Sequence, residues 1–234
     1  MSTSNQTNKR ITVVIANKNY GRYLKQCIDS AKNQTLKPNI IAIFDDGSND
    51  NSSDFKSDVD IFMSGPEGHS NGPSFGRNRI IEATINDTDI YAILDADDYW
   101  DSKRLEKCVK EFDNTSVGAV YTDNYLLNEN SGLISREFRE SFNLHRLIQQ
   151  NYIHSGCLIR KEVLLKTGIY TESMRTAEDW DLWLRIAKVS MFKHVPQPLV
   201  TARVHINNST YSVNPGVWQE NWRKISERIK ELYG

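Results

Sequence analysis

The feature that most constrains this chain is the alternation of short apolar runs with amphipathic segments through its first half. Four runs rich in β-branched residues have the length and composition of buried strands, and apolar residues recur at helical spacing in the segments around them. This alternation predicts an α/β fold with a Rossmann-like, mostly parallel central sheet and helices on both faces. The predicted strands are residues 11–16, 40–44, 59–63 and 90–94, and the predicted helices are residues 23–32, 75–85 and 103–112, the last capped by Ser102.

The second half of the chain has a less regular pattern. Residues 1–10 are polar, and we interpret them as a disordered N-terminal lead, whereas residues 11–234 are expected to form a single domain. The predicted strands of the second half are residues 117–122 and 157–160, and its predicted helices are residues 141–150, 179–189 and 218–232.

Composition excludes several classes of protein. The 234 residues include 29 basic and 30 acidic side chains, so the chain lacks the positive charge of a general nucleic-acid binder. No apolar run approaches the roughly 20 residues that span a bilayer, and the N-terminus does not resemble a signal peptide. The three cysteines have no metal-ligand spacing and are expected to be free thiols in the core. We therefore expect a cytoplasmic protein, with the inner face of a membrane as an alternative location.

The sharpest motif is the acidic segment Leu94-Asp95-Ala96-Asp97-Asp98 at the end of a predicted strand. Three carboxylates within four residues repel one another, and oxygen ligands of this kind suit Mg²⁺ or Mn²⁺. Side chains alternate along a strand, so Asp95 and Asp97 are expected to point to the same side. The alternative is a solvated acidic turn. A calcium loop of the helix–loop–helix kind is disfavoured, because Tyr99 and Trp100 occupy positions that need an oxygen ligand and a glycine.

Two further acidic segments flank this motif in the sequence. Asp45-Asp46-Gly47-Ser48 follows the second predicted strand, where a carboxylate could accept hydrogen bonds from a nucleobase or a ribose, or could form an Asx turn. Glu178-Asp179-Trp180-Asp181 opens a predicted helix. Carboxylates are favoured there by the helix dipole alone, but one of them could also act as a general base in a cleft. Trp180 beside them could stack on a sugar ring.

Two other kinds of enzyme, a serine hydrolase and a nicotinamide enzyme, have sequence motifs that can be compared with this chain. Gly68-His69-Ser70-Asn71-Gly72 matches the G-x-S-x-G pattern of serine hydrolases, but no predicted strand runs directly into the serine and prolines flank the motif. The glycine-rich fingerprint of dinucleotide-binding proteins is absent after the first strand, and no phosphate-binding P-loop occurs. A hydrolase and a nicotinamide enzyme are therefore disfavoured.

Taken together, these segments resemble the inverting glycosyltransferases of the GT-A fold, of the family 2 type that builds capsules and other polysaccharides. The resemblance extends from about residue 11 to about residue 212 and depends on the order and spacing of several short motifs. These are the opening strand and loop at residues 11–19, the base-binding segment at 43–50, Gly76-Arg77-Asn78, the D-x-D motif at 94–98, and the Glu-Asp motif at 177–185. Ala16 departs from the pattern, since relatives usually have Pro or Thr there.

The resemblance implies a role for each matching residue on the donor side. Asp46 would bind the nucleobase, and Arg77 the base or a phosphate. Asp95 would serve the ribose, Asp97 would bind the metal, Mn²⁺ or Mg²⁺, and His205 would lie near the diphosphate as a second metal ligand. Residues 11–122 would then form the nucleotide-sugar half and residues 123–234 the acceptor and catalytic half.

On the acceptor side, the resemblance implies that Asp179 is the catalytic base, with Glu178 and Trp180 in contact with substrate. The donor would be a nucleotide-diphosphate sugar, with UDP favoured over GDP or dTDP, and the acceptor a hydroxyl group of a glycan or glycolipid. A carbohydrate-binding module without catalysis is the alternative from a different class. It would bind the donor with metal but release no nucleotide.

Overall fold

The structure is a computed structural model that describes residues 9–208 and 213–234. Its first half follows the predicted alternation of strands and helices, with boundaries within two or three residues of the predicted ones. The elements in chain order are β1 (Ile11–Asn17), α1 (Gly21–Lys32), β2 (Ile40–Asp45), a 3-10 helix (Asn51–Asp58), β3 (Ile61–Ser64), α2 (Pro73–Thr84) and β4 (Ile90–Ile93).

The second half contains the predicted helices and strands together with several elements that had no clear sequence signal. The elements are β5 (Tyr99–Trp100), α3 (Arg104–Val109), β6 (Val117–Asn128), β7 (Ile134–Glu137), α4 (Leu144–Gln149), β8 (Leu158–Arg160), α5 (Lys161–Thr167), α6 (Glu178–Val189), β9 (Met191–Val204) and α7 (Pro215–Tyr233). A short 3-10 helix, Lys110–Asp113, extends α3.

Nine strands of the described residues join in one mixed sheet. Its spatial order is β3-β2-β1-β4-β8-β6-β9-β5, with β7 paired to the C-terminal part of β6. The four strands of the first half are parallel, and β6 and β9 are also parallel, whereas β5, β7 and β8 pair antiparallel to their neighbours. The predicted mostly parallel α/β sheet is therefore confirmed, and the carboxyl ends of β1, β2 and β4 lie side by side.

Apolar clusters cover both faces of the sheet. Along β1, Val14 packs into the cluster that includes α2 and α6, whereas Val13 and Ile15 pack into the cluster that includes α1 and α3. All three side chains are fully buried, which is why β1 is a continuous apolar run rather than an alternating one. A Cβ on Gly76 would lie 3.1 Å from the Phe44 ring, so this glycine allows α2 to approach the sheet closely.

Two details differ from the sequence-based expectations. Ser102 does not cap α3; the helix begins after Lys103, and the Asp101 carboxylate accepts the Lys103 N–H at 2.9 Å instead. The long strand β9 was not predicted, because Pro196 and Pro198 interrupt its pattern. Its pairing with β6 contains register shifts near these prolines, which is how a strand accommodates residues without an N–H.

Most of the predicted disordered lead lies outside the described residues. Its last two residues, Lys9 and Arg10, are described, and Arg10 donates hydrogen bonds to Asp89. The predicted division at residue 122 falls inside β6, so both halves contribute to one strand; the assignment of residues 11–234 to one domain stays a prediction. Within the two described ranges, no helix combines the length and apolar character that crossing a membrane requires.

Candidate active site

Two adjoining cavities lie at the carboxyl ends of the parallel strands, where ligands bind in open α/β sheets. The larger has a volume of about 780 Å³, and the smaller, of about 280 Å³, is entered beside it. We call them the main cleft and the side pocket. Four residues line both and connect them: Ala16, Tyr20, Pro73 and Arg175. The main cleft contains Arg77, Asp95, Asp97, Glu178, Asp179 and Trp180, whereas Asp46 lines the side pocket.

The loop before α2 folds over Asp46. The Asp46 carboxylate accepts the main-chain N–H groups of Asn71 at 2.7 Å and Gly72 at 2.9 Å, and the Asn71 side chain at 3.1 Å. Gly47 has a left-handed φ of 74°, and a Cβ there would lie 2.1 Å from the Pro66 carbonyl oxygen, so the turn requires glycine. The preceding Asp45 is directed inward and accepts a hydrogen bond from Asn17 at 2.7 Å. Only the second aspartate of the pair therefore belongs to the pocket.

Arg77 joins the strand-end acids to the start of α6. Its two outer nitrogens donate to Asp95 at 2.7 Å and to Glu178 at 2.8 Å, and the arginine is only 4% exposed. Ser155 also donates to the other Asp95 oxygen. Burial opposes the ionisation of Asp95, but the Arg77 charge and these hydrogen bonds outweigh it and lower the pKa of Asp95. Asp95 is thus held as a carboxylate.

Asp97 follows in a turn rather than in the strand, since β4 ends at Ile93 and the Asp98 N–H donates to the Asp95 carbonyl at 3.0 Å. Asp95 and Asp97 do line the same cleft, but the turn, not strand alternation, places them there. Oδ2 of Asp97 accepts from His205 Nε2 and from Asn208 Nδ2, both at 3.0 Å. No hydrogen bond from the described residues reaches Oδ1.

His205 is held tightly beside Asp97. It is 4% exposed, and its ring stacks on Tyr23 with centroids 5.3 Å apart. Nδ1 of His205 accepts the Asn207 main-chain N–H at 3.2 Å, which leaves Nε2 as the ring nitrogen that can donate to Asp97. A metal-bound imidazole would carry the ring proton on Nδ1. The sequence-based prediction of His205 beside Asp97 is therefore matched in position, and its ligand role stays a prediction.

A second candidate metal group lies close by. Among the described residues, ligand atoms of Asp95, Asp98 and His154 lie within 4.8 Å of one another. However, Nδ1 of His154 accepts the Gly156 N–H at 2.9 Å, which directs an N–H toward the acids, 3.7 Å from Asp98. Burial and then the charges of Asp97 and Asp95 raise the pKa of Asp98. An excess of negative charge of this kind is what a bound cation relieves.

Helix α6 begins with a strained residue. Ala177, just before Glu178, has a left-handed φ of 57°, which a non-glycine residue adopts at a cost of about 1 kcal/mol or more. This turn directs Asp179 into the cleft, where its carboxylate is half-buried and accepts from Asn151 Nδ2 at 3.0 Å. Burial and then the Glu178 charge raise the pKa of Asp179 to about 7. A pKa near 7 lets Asp179 exchange a proton near neutrality.

Trp180 contributes to the cleft wall but not as an open sugar-stacking surface. It is 3% exposed, and its Nε1 donates to the Leu147 carbonyl at 2.7 Å. The exposed indole in the cleft belongs to Trp222 on α7, which meets Trp180 edge to face with ring centroids 5.1 Å apart. The burial of Trp180 does not fit the expectation that it presents an open ring face to a sugar.

Sequence reasoning missed several residues of the cleft. Their types are common on any surface, and the fold brings them in from distant loops, so no local pattern marks them. The one signal that could have identified them is a hydrogen bond to a predicted site residue, and such a bond is seen only in the folded structure. These residues are Asn151, Ser155, Arg175, Asn208 and Trp222.

The structure disfavours the two rival motif interpretations. Ser70 lies in the loop between β3 and α2, without a strand running into it, and its Oγ is 3.4 Å from the Asp46 carboxylate rather than next to a histidine base. Tyr99 and Trp100 form β5, which pairs antiparallel with β9. The acidic segment therefore leads into a strand and not into a calcium-binding helix–loop–helix.

Comparison with known proteins agrees with this geometry. The family described as Glycosyl transferase family 2 matches residues 12–170. A chondroitin synthase of Pasteurella multocida (strain Pm70) is 26% identical over 205 residues, covering 86% of this chain and 21% of that protein. A chondroitin synthase of Escherichia coli is 24% identical over 234 residues, covering 95% of this chain and 33% of that protein. This chain thus spans a fifth to a third of their lengths.

Solved structures show the same fold. S. aureus TarS 1-349 in complex with UDP-GlcNAc superposes with a TM-score of 0.77 and 16% identity, covering 96% of this chain and 68% of that chain. Its complex with UDP gives a TM-score of 0.75, also at 16% identity, covering 96% and 67%. These likenesses confirm the predicted GT-A architecture.

Proposed function

The chain belongs to glycosyl transferase family 2, and from this membership and the cleft we propose that it transfers a sugar from a UDP-sugar to a hydroxyl group of a glycan or glycolipid. The observation that carries the proposal is the meeting of Asp97 with Asp179 in one cleft, although 82 positions separate them in the sequence. The part of the cleft at Asp97 suits a charged leaving group, and the part at Asp179 supplies a proton acceptor. GDP- and dTDP-sugars are the alternatives as donor.

The donor fits the two connected cavities. We propose that the nucleobase enters the side pocket beside Asp46 and that the diphosphate lies in the main cleft near Asp97. TarS has been solved with UDP and with UDP-GlcNAc, which supports a uridine donor here. Arg175 lies where the two cavities join and donates to the Ser70 carbonyl; its charge suits a phosphate at that point. Asp95 would serve the ribose.

Arg77 was predicted to contact the base or a phosphate. Both of its outer nitrogens already bind carboxylates, so a direct contact with the nucleotide would have to share them. We propose that Arg77 acts mainly by keeping Asp95 charged and by holding Glu178 in position. Glu178 in turn raises the pKa of Asp179 through its charge.

The residues present fit a divalent ion, Mn²⁺ or Mg²⁺. The donor set is hard oxygen and imidazole nitrogen, and Asp97 keeps one carboxylate oxygen without a hydrogen bond from the described residues. We propose that Asp97 and His205 hold the ion. Nε2 of His205 bonds Oδ2 of Asp97 at 3.0 Å in this structure, so ligation by that nitrogen would replace this hydrogen bond and leave the ring proton on Nδ1. When bound, the ion would offset the charge developing on the diphosphate.

Asp179 supplies the acid–base chemistry in this proposal. Its carboxylate removes the proton from the acceptor hydroxyl, and that oxygen attacks the anomeric carbon from the face opposite the nucleotide. The bond between the anomeric carbon and the diphosphate oxygen breaks, and UDP leaves with its electron pair. One displacement inverts the anomeric configuration. A pKa near 7 suits a base that must be ionised yet able to accept a proton.

The first experiment is a thermal-shift screen of UDP, GDP and dTDP, each with and without Mn²⁺. We expect UDP with Mn²⁺ to raise the melting temperature most, because a ligand that binds only the folded state stabilises it. UDP-sugars would then be incubated with glycan acceptors, and UDP release would be measured. The proposal fails if no nucleotide diphosphate stabilises the protein, and a binding module replaces it if donors bind but acceptors release no UDP.

A further inference from the structure

Trp222 is the most exposed of the tryptophans that line the main cleft. It lies on α7, 49% of its surface is exposed, and it lines the main cleft together with Asp179. A large aromatic side chain exposed inside a concave site is a common feature of ligand pockets, where its apolar surface contributes binding free energy on desolvation. Trp218, one helical turn earlier, lines the same wall.

Helix α7, which carries Trp222, is held against α6 by polar contacts. Asn221, adjacent to Trp222, is buried and donates to Thr176 Oγ1 at 2.8 Å, two residues before Glu178. Arg228 forms an ion pair with Asp181 of α6 at 2.8 Å. These contacts set the distance between the Trp222 ring and the first turn of α6. The ring is therefore presented to the cleft on a rigid support.

The chemistry around Trp222 indicates what kind of molecule covers it. A pyranose ring has an apolar face of axial C–H groups and a rim of hydroxyls, so it matches an aromatic surface beside amide groups. Asn151 and Gln150 supply such amides in the same cleft. Asn151 donates to Asp179, while its Oδ1 has no hydrogen-bond partner among the described residues. A hydrocarbon chain would leave these polar groups unpaired.

We propose that Trp222 is the stacking platform for a pyranose ring of the acceptor. The inference rests on the proposed function and extends it: the acceptor is a saccharide, and its ring is held by α7 so that a hydroxyl reaches Asp179. The residues assigned to the donor, Asp46, Asp95 and Asp97, follow strands of the first half and not α7, so losing the Trp222 ring should weaken acceptor binding and leave donor binding intact. Trp222 is a binding and specificity residue in this scheme, not a catalytic one.

The test uses saturation-transfer NMR on the protein with UDP and Mn²⁺. The probes are methyl β-D-glucopyranoside and methyl β-D-galactopyranoside, with open-chain sorbitol as a polyol that has no ring face. We expect transfer to be strongest at the axial protons of one pyranoside face and weak for sorbitol. Trp222→Ala should reduce the transfer about fivefold or more, while Trp222→Phe should retain most of it, since a ring surface remains.

Phe138→Ala is the matched control, because Phe138 is 71% exposed but lies outside the cleft. It should leave the pyranoside signal unchanged. The platform is overturned if neither pyranoside shows face-selective transfer to the wild-type protein, or if Trp222→Ala keeps it. Calorimetric titration of UDP with Mn²⁺ separates the two hypotheses: normal UDP binding without pyranoside contact refutes only the platform, and absent UDP binding refutes the proposed donor.

Discussion

The acids at the strand ends and the acids at the start of α6 face the same cleft, but the protein compensates their charges differently. Asp46 accepts two main-chain N–H groups, and Asp95 has a buried arginine and a serine. Asp179 accepts one side-chain amide and the Trp180 main-chain N–H, has no cation bonded to it among the described residues, and has the negative charge of Glu178 beside it. As a result, the pKa of Asp95 is lowered and that of Asp179 is raised to about 7.

This difference separates binding from proton transfer. A carboxylate that is fully compensated stays ionised at all physiological pH values and can act as a fixed acceptor or metal ligand. A carboxylate that is buried beside another negative charge binds a proton more readily, which is the property of a general base working near neutral pH. Substitutions in either group of acids should therefore have different effects.

The largest effect is expected from Asp179→Asn. The amide cannot accept the proton of the acceptor hydroxyl, so kcat should fall about 10²-fold or more while UDP binding with Mn²⁺ stays within about twofold. Steady-state kinetics and calorimetric titration measure the two quantities. Unchanged turnover would remove Asp179 from the role of base.

Asp181→Asn is the matched control for this variant. Asp181 lies on the same helix but outside the cleft, paired with Arg185 and Arg228. Its loss should lower the melting temperature, because two buried or half-buried guanidinium groups lose a partner. At saturating acceptor the kcat of the folded fraction should stay near the wild-type value, because the lost ion pair with Arg228 supports Trp222, which is assigned to acceptor binding and not to proton transfer. A comparable loss of kcat in both variants would mean that the effect of Asp179→Asn is structural.

The next largest effect concerns the strand-end side. EDTA should abolish UDP binding, and Asp97→Asn should weaken the metal-dependent binding of UDP by more than about 100-fold, since losing an outer-shell partner alone costs about 10- to 100-fold. His205→Gln distinguishes two roles for the histidine: a metal ligand predicts a loss as large as that of Asp97→Asn, and a residue that only holds Asp97 predicts the smaller range. Equal UDP affinity with and without Mn²⁺ would contradict the proposed metal site.

The strand-end side was also the easier one to predict from sequence. Each of its acids follows a buried strand directly, and parallel strands bring their carboxyl ends to one edge, so Asp46, Asp95 and Asp97 could be placed near one another from local patterns alone. The position of Arg77 on α2 follows from the same alternation. Its partner, Glu178, is 101 positions away, and no local rule joins the two.

The α6 side depends on long-range packing. Asn151 and Ser155 lie on the segment between α4 and β8, and Trp222 lies on α7. Their positions follow from antiparallel strands, from the interrupted strand β9 and from helix–helix contacts, none of which has a periodic signature. Asp179 does line the cleft, as the sequence suggested, but helical spacing does not reveal that Trp180 is buried and packs edge to face against Trp222. Only the fold distinguishes the buried indole from the exposed one.

A smaller effect is expected in the pH dependence of kcat at saturating Mn²⁺. Asp179 must be deprotonated to act, so kcat should fall about tenfold per pH unit as the pH drops below about 7, and should level off above it. Glu178→Gln removes the charge that helps to raise the pKa of Asp179, so the acidic limb should move to lower pH. Burial still acts on Asp179, so the limb should stay above the ordinary carboxylate range. A limb that stays in place or moves to higher pH would contradict the coupling.

The smallest effect is on stability, where the two sides should respond with opposite sign. Burial raises the folded-state pKa of Asp179 above its unfolded value, so ionisation destabilises the folded state increasingly as the pH rises toward 7. Asp179→Asn should therefore raise the melting temperature at pH 8, and the gain should narrow at pH 5. Each unit of relieved pKa shift, about 1.4 kcal/mol, corresponds to about 3–5 °C for a chain of this size.

Asp95→Asn, measured in EDTA, should lower the melting temperature instead of raising it. The folded-state pKa of Asp95 is lowered, so the stability that its ion pair with Arg77 contributes is present above its ordinary pKa and is lost only as the pH falls through the lowered value. The variant should melt below the wild-type protein at both pH 8 and pH 5. Calorimetric scans of both variants at the two pH values give four differences. If both variants shifted the melting temperature in the same direction with the same pH dependence, the two groups of acids would not differ in compensation, and the assignment of proton transfer to Asp179 would lose its physical basis.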